Sequence, residues 1–316
     1  MKYNMLPIDK DLLRRFLRGR EEDSHKRDYG HALLVCGCEQ MPGAAVLATG
    51  AALKSGCGLV TLHSTATACA AAMASCPSAM LSRDRGDVVT TVPDGLRCRF
   101  CSDGATGPGR YQAIGIGPGL GQDPRTAEVL RGLMQAASDQ ICGLVLDADA
   151  LNIISASTTA FTDLLSLIPE HSVLTPHMGE LRRLLRTDVP TEEDIIALCE
   201  KTRSAIVVKG PHTRVFVPGC TASRGVKYVN TTGNPGLAKG GSGDVLTGLI
   251  TGLLARGYLW YEAAILGVWL HGYAADCLSA ERTQECWNSR DLLDYLHRGF
   301  IELTDDGCEC QIYGDF

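Results

Sequence analysis

Nine short runs of β-branched and aliphatic residues punctuate this chain, and longer helical patterns separate most of them. That alternation limits the available folds more than any other feature. The runs are "ALLVCG", "LVTLHS", "SAMLS", "AIGIG", "GLVLDAD", "SVLTP", "AIVVKG", "RVFV" and "KYVN". Several are apolar throughout, as strands covered on both faces must be. Between them, "PGAAVLATGAALKSG", "PRTAEVLRGLMQAA", "MGELRRLLR" and "EEDIIALCEKTR" place apolar residues at helical spacing. A chain of this kind folds as α/β, with a mostly parallel central sheet and helices on both faces. "RVFV" and "KYVN", joined by "PGCTASRG", read as an antiparallel pair added to that sheet. After Asp244 the pattern is helical to about Leu303. With no repeat and no linker-like composition, one domain is expected over 1–316, ending in a surface tail at about 304–316.

Composition excludes several classes of partner. A formal charge of −6 gives no electrostatic grip on nucleic acid. The basic stretch "LLRRFLRGR" is followed by Glu21, Glu22 and Asp23, a solvated face. The N-terminal "MKYNMLPIDKDLLRRF" lacks the apolar centre of a signal peptide. The apolar stretch Val245–Leu278 is interrupted by Arg256, Glu262 and glycines, whereas a span needs about 20 nearly unbroken apolar residues. It reads as two buried helices, and the expectation is a cytoplasmic protein with no membrane partner. Most of the 14 cysteines stand singly in apolar segments (Cys57, Cys69, Cys142, Cys199, Cys277) and read as small buried thiols. "CRFC" (Cys98, Cys101) has the spacing of half a zinc knuckle, and "CEC" (Cys308, Cys310) does not complete it, so no structural zinc is expected.

Ligands of open α/β sheets collect at the carboxyl ends of the strands. There the chain places "TTGNPGLAKGGSGDVL", with five glycines between Gly233 and Gly243 and a carboxylate, Asp244, next. Glycines without Cβ let backbone N–H groups converge, and a helix start leaves N–H donors unpaired. Together they suit a phosphoryl group. A carboxylate beside an anion hole is either a helix N-cap or a base that takes a proton from the attacking hydroxyl. The glycine run favours the base. No GxxxxGK[ST] occurs, and "GIGPGLG" (Gly115–Gly121) lacks GxGxxG spacing, so the phosphate site is of neither familiar design.

Seven motifs in order, "DYGHALLVCG", "MPGAAVLATGAALKSGCGLVTLH", "AIGIGPGLG", "LVLDADALNII", "LTPHMGELRRL", "VVKGPHT" and "TTGNPGLAKGGSGDVLTGLI", span about Tyr29 to Arg298. They resemble the ADP- or ATP-dependent NAD(P)H-hydrate dehydratases, members of the ribokinase-like superfamily, whose fold is three-layered. The resemblance implies a metabolite-repair reaction on the S-epimer of NADH or NADPH hydrate. The ring hydroxyl is phosphorylated by the nucleotide, phosphate then leaves, and the reduced cofactor is restored, giving AMP when ADP is the donor. The cofactors implied are ADP (or ATP) as co-substrate and Mg²⁺.

Carried over by motif, Asp244 is the base, with Gly241 and Gly243 in the anion hole. Ala44, Gly119 and His177 contact the hydrate together with Asp244. Lys209, Gly210, Pro211, His212 and Thr213 hold the nucleotide with Gly243. Each has a plainer reading: helix packing for Ala44, a turn for Gly119, a satisfied structural imidazole for His177, a surface charge for Lys209. Glu180 serves the metal or opens a helix. Asp147, Asp149 and Asn152 order Mg²⁺ through water or cap the next helix, with a structural role favoured for Asp147; metal ligands stay unassigned. "GCEQ" (Gly37–Gln40) departs from the family's usual turn. The resemblance further implies a homo-oligomer, a tetramer being one form, and an epimerase on a separate chain, an arrangement that favours ADP. A hydroxyethylthiazole- or sugar-type kinase of the same superfamily is the alternative.

Overall fold

The computed structural model describes residues 3–94, 96, 110–140, 143–157, 163–219 and 225–304. The Cys98–Cys101 and Cys308–Cys310 pairs, Cys142 and the segment beyond residue 304 lie outside them. A ten-stranded sheet has the order β1-β10-β9-β8-β7-β6-β5-β2-β3-β4. Its strands are β1 (Asn4–Pro7), β2 (His31–Val35), β3 (Leu59–Ser64), β4 (Met80–Arg83), β5 (Ala113–Ile116), β6 (Gly143–Leu146), β7 (Val173–Leu174), β8 (Ala205–Val208), β9 (Arg214–Val217) and β10 (Val226–Val229). All pairings are parallel except those of β9 with β8 and β10. Because β9 is antiparallel to both neighbours, β10 runs with β8, and its exit loop lies at the same sheet edge as those of β2, β5, β6, β7 and β8.

All nine apolar runs are strands. The addition is β1, exposed along its length and paired to β10, which gave no apolar pattern to read.

The helices are α1 (Lys10–Arg14), α2 (Pro42–Lys54), α3 (Ala66–Ser75), α4 (Pro124–Gln140), α5 (Asp149–Ala156), α6 (Met178–Leu185), α7 (Glu192–Thr202), α8 (Ser242–Ala255), α9 (Trp260–Glu281) and α10 (Ser289–Thr304). Strand residues alternate between two cores. Leu34, Ala113 and Val145 face α2, α8, α9 and α10, while Leu33, Ile114 and Leu146 face α4 to α7. Period-two alternation on strands that are apolar on both faces thus yields three layers.

The seam between α2 and α8 is built of small residues. A Cβ on Gly248 would stand 2.0 Å from the Ala48 carbonyl oxygen, and one on Gly252 2.0 Å from Ser55 Oγ. The backbones touch because nothing larger intervenes. Gly248→Ala is therefore expected to destabilise the protein by about 3 kcal/mol through overpacking against rigid main chain. A thermal melt checks this, and an unchanged midpoint would refute the packing described.

Candidate active site

The loops at the carboxyl edge of the sheet meet the starts of α2 and α8. After β5 the chain turns through Gly117 (φ 129°) and Gly119 (φ 59°). At Gly119 a Cβ would lie 2.7 Å from the Ala44 Cβ and 3.0 Å from the Met41 carbonyl oxygen. The β5 turn thus rests directly on the start of α2. Gly37 N–H donates to the Pro118 carbonyl (2.8 Å), so the "GCEQ" turn joins the same rim. Ala44 and Gly119, expected together at the substrate, are together; packing and proximity coexist there.

After β6, Asp147 is buried, 1% exposed. It caps no helix. Its Oδ1 accepts from Lys209 Nζ (2.6 Å) and its Oδ2 from Thr247 Oγ1 (2.6 Å), bridging β8 and α8. Asp149 opens α5 and accepts from Gly121 N–H (2.8 Å), tying down the β5 turn. Asn152 accepts from Arg183 rather than capping.

After β7, His177 is the N-cap of α6. Its Nδ1 accepts from Gly179 N–H (2.9 Å) and Glu180 N–H (3.2 Å), while Glu180 Oε2 accepts from His177 N–H (2.8 Å). This reciprocal box satisfies helix-start donors at both ends. With Nδ1 as acceptor, the neutral ring carries its proton on Nε2, 3.2 Å from Glu180 Oε1. The imidazole remains exposed at the rim. Glu180 opens the helix, as one of its two readings held, and also lies 3.7 Å from Lys209 Nζ.

Lys209 follows β8 and pairs with His177 through a parallel bridge. Two carboxylates, Asp147 and Glu180, hold its ammonium, so it is no loose surface charge. Burial lowers its pKa, but Asp147 and Glu180 outweigh that, and the group stays above its ordinary value. Gly210, Pro211 and His212 are exposed in the turn before β9, which Thr213 ties together by accepting from Gly210 N–H (3.4 Å) and donating to its carbonyl (3.1 Å).

The glycine loop after β10 enters α8 one turn earlier than its composition indicates. Ser242 is the first helical residue, and Gly241 (φ 89°) is the N-cap, with no side-chain cap. Asp244 is therefore the third residue of the helix. The N-cap reading of Asp244 is corrected, and the first-turn N–H groups stay unclaimed by its side chain. Among the described residues nothing donates a hydrogen bond to the Asp244 carboxylate, and no cation lies within ion-pair distance. Burial, then the negative charges of Asp147 and Asp149, push its pKa up to about 6 against the pull of Lys209. A Cβ on Gly243 would meet Lys209 Nζ at 3.4 Å and Asp147 Oδ2 at 3.6 Å, so the bare main chain at Gly243 faces the ammonium.

Asp244, Gly243, Lys209, Asp147 and Thr247 thus converge, with His177 on the β7 side and Ala44 and Gly119 on the β2–β5 side. Thr247 was missed in the sequence. A buried hydroxyl inside the apolar run of α8, one turn past Asp244, was the available signal. His271 of α9, also missed, lies beneath the helix start, its Nε2 3.0 Å from the Ser242 carbonyl. Burial lowers its pKa to about 4, so the ring is neutral and donates there. Among the described residues no group of three or more His, Cys, Asp or Glu side chains is placed to hold a metal ion, and no helix is long and apolar enough to cross a membrane.

The three-layer α/β fold, with Asp244 left without a partner among the described residues at a glycine-rich helix start, is of the ribokinase-like class. The model of the NAD(P)H-hydrate dehydratase family matches residues 32–298, and the chain belongs to that family. It is 38% identical over 267 residues to the ADP-dependent (S)-NAD(P)H-hydrate dehydratase of Neisseria meningitidis serogroup B, covering 83% of this chain and 81% of that protein. It is 36% identical over 289 residues to the bifunctional NAD(P)H-hydrate repair enzyme Nnr of Moorella thermoacetica. The match takes in 88% of this chain, which spans about half (50%) of that longer relative. Among solved structures, the ADP/ATP-dependent NAD(P)H-hydrate dehydratase of Bacillus subtilis, co-crystallised with ATP and Mg²⁺, aligns with a TM-score of 0.72 at 29% identity. That alignment covers 94% of this chain and 98% of the other.

Proposed function

We propose that this protein dehydrates the S-epimer of NADH or NADPH hydrate, with ADP or ATP as phosphoryl donor. The observation that carries the reading is the position of the Asp244 carboxylate, without a hydrogen-bond or ion-pair partner among the described residues, in the first turn of a glycine-led helix, where burial pushes its pKa up to about 6. Asp244 takes the proton of the ring hydroxyl as its oxygen attacks the terminal phosphorus, and the bond to the nucleotide breaks. Gly241, Gly243 and the first-turn N–H groups stabilise charge on the transferred group. Lys209 adds a positive charge on the same side, and the exposed Gly210–Thr213 turn packs the nucleotide. The hydroxyl, a poor leaving group, has become phosphate; its loss with a neighbouring ring proton restores the double bond. Ala44, Gly119 and His177 orient the hydrate.

The Neisseria relative's donor supports ADP, with AMP and phosphate as the other products. Magnesium fits as the counterion of the nucleotide phosphates, which needs few protein ligands. Asp147 and Glu180 are committed to Lys209. Asp149, whose oxygens accept only from neutral N–H groups among the described residues, is the carboxylate available to it through water.

On this reading the protein is one cytoplasmic domain and a homo-oligomer, for which light scattering would test a tetramer. An epimerase activity in the same pathway supplies the S-epimer.

The test is absorbance in the reduced-nicotinamide band after mixing protein, hydrated cofactor and Mg²⁺ with ADP or ATP. Recovery of the band with release of phosphate is expected. A stable phosphorylated product with no recovery would instead identify a kinase of the same superfamily. Because the base must be ionised, kcat/KM is expected to fall below about pH 6, by about tenfold per pH unit. A profile flat from pH 5 to 8 would remove Asp244 from that role.

A further inference from the structure

A lysine inside a glycine-rich phosphate loop is expected to reach for the anion. Lys239 reaches the other way. Its ammonium donates to the main-chain oxygens of Gln284 and Trp287, and it lies 4.7 Å from the centroid of the Trp287 ring. Both carbonyls belong to the connection between α9 and α10. The start of α10 and the connection each grip the loop at one more point. Ser289 Oγ donates to the Gly240 carbonyl (2.7 Å). The Trp287 ring packs against Gly236, where a Cβ would stand 2.2 Å from Cζ2. Trp287 is itself immobilised, 1% exposed, with Nε1 donating to Ser279 Oγ (3.2 Å). Upstream, Asp276 of α9 accepts from Gly233 N–H (2.8 Å) and Asn234 Nδ2 (2.9 Å).

We propose that Lys239 is a positioning residue of the phosphoryl loop, tying residues 239–241 to the α9–α10 connection without touching nucleotide or hydrate. The proposal rests on the function given above and deepens it. A segment so rich in glycine has more backbone freedom to lose than any other, and an anion hole works only if its donors are aimed before the anion arrives. Charge-assisted bonds from one ammonium to two carbonyls are the strong kind, and they fall within two residues of the N-cap Gly241. With Lys239 directed at main chain, the cation beside the hole is Lys209.

The experiment compares wild type with Lys239→Met, Lys239→Arg, Ser289→Ala and the Lys239→Met/Ser289→Ala double variant. For each, kcat, nucleotide KM, the calorimetric affinity for ADP at several ionic strengths and the melting temperature are measured. Lys239→Met is expected to lower kcat/KM roughly 30-fold, because donors that must reorganise lose much of their effect. Arginine, which can reach both carbonyls, restores most of it. The double variant loses less than the product of the two single losses, since both side chains hold one loop. The slope of ADP affinity against salt stays as in wild type, because no charge has been taken from the phosphate.

Wild-type kinetics in Lys239→Met, a flattened salt slope, or fully multiplicative losses would each overturn the tether. If Lys239→Met fails to fold, Lys239→Arg and Ser289→Ala decide through the same measurements. If wild type shows no dehydratase activity, the reading of the reaction fails, while ADP calorimetry on the variants still decides the tether.

Discussion

Asp244→Asn is expected to lower kcat by about 10³-fold or more, which is what loss of a general base costs when little replaces it. The amide is isosteric, and Gly241, Gly243 and the helix-start N–H groups are untouched, so ADP should bind at least as well as before. Removing a negative charge from beside an anion does not weaken that anion's site. The same substitution has an opposite effect on stability. Burial raises the folded-state pKa to about 6 from an ordinary 3.8, so the native protein binds this proton more tightly than the unfolded chain does. Stability therefore declines as pH rises from 3.8 to 6, and above 6 the whole cost of the buried charge is carried. Asparagine carries no charge, and at pH 8 the variant should be more stable by on the order of 1–3 kcal/mol. A melt at pH 8 beside a turnover assay checks both halves. Near-normal turnover, or a variant that melts earlier at pH 8, would contradict the role assigned to this carboxylate.

Gly241→Val should weaken ADP binding by at least about tenfold, a loss of about 1.4 kcal/mol. The cause differs from a side chain plugging the hole. At φ 89° a β-branched residue is strained, and the added Cβ would meet Leu47 Cδ1 at 2.4 Å and Ser289 Cβ at 3.2 Å. The new side chain points into the α2 and α10 wall, so relief comes by moving the loop, and the N–H groups move with it. Gly243 is the position whose Cβ would face the ammonium. Calorimetry with ADP is the direct check, and an unaltered affinity in a folded variant would refute this account of the loop.

The centre of the sheet was legible because β2, β5, β7 and β8 are buried along their whole length and so appear as apolar runs. β1 was not, because all four of its residues are exposed and nothing in them alternates. The start of α8 was misplaced for a related reason. Ser242 and Gly243 are poor helix formers, and their helical state is supported by tertiary contacts, including His271 beneath Ser242. At the site, motif order led to Asp244, Gly243, Lys209, His177, Ala44 and Gly119, which the fold brings to one edge. It could not show that Asp147 joins Lys209 to Thr247, because those two partners lie 62 and 100 positions from Asp147 in sequence. Only the strand order makes them neighbours.

The glycine-lined contact of α2 with α8 has a mechanical corollary. Helices that meet main chain to main chain cannot slide or part without breaking contact along their length, so Ala44 and Asp244 ride on one rigid block. Any give that admits a ligand then falls to the opposite bank, where Gly210, Pro211 and His212 stand in solvent and the turn is held by the Lys209 ion pairs to Asp147 and Glu180 and by the Asn230 N–H bond to the Thr213 carbonyl.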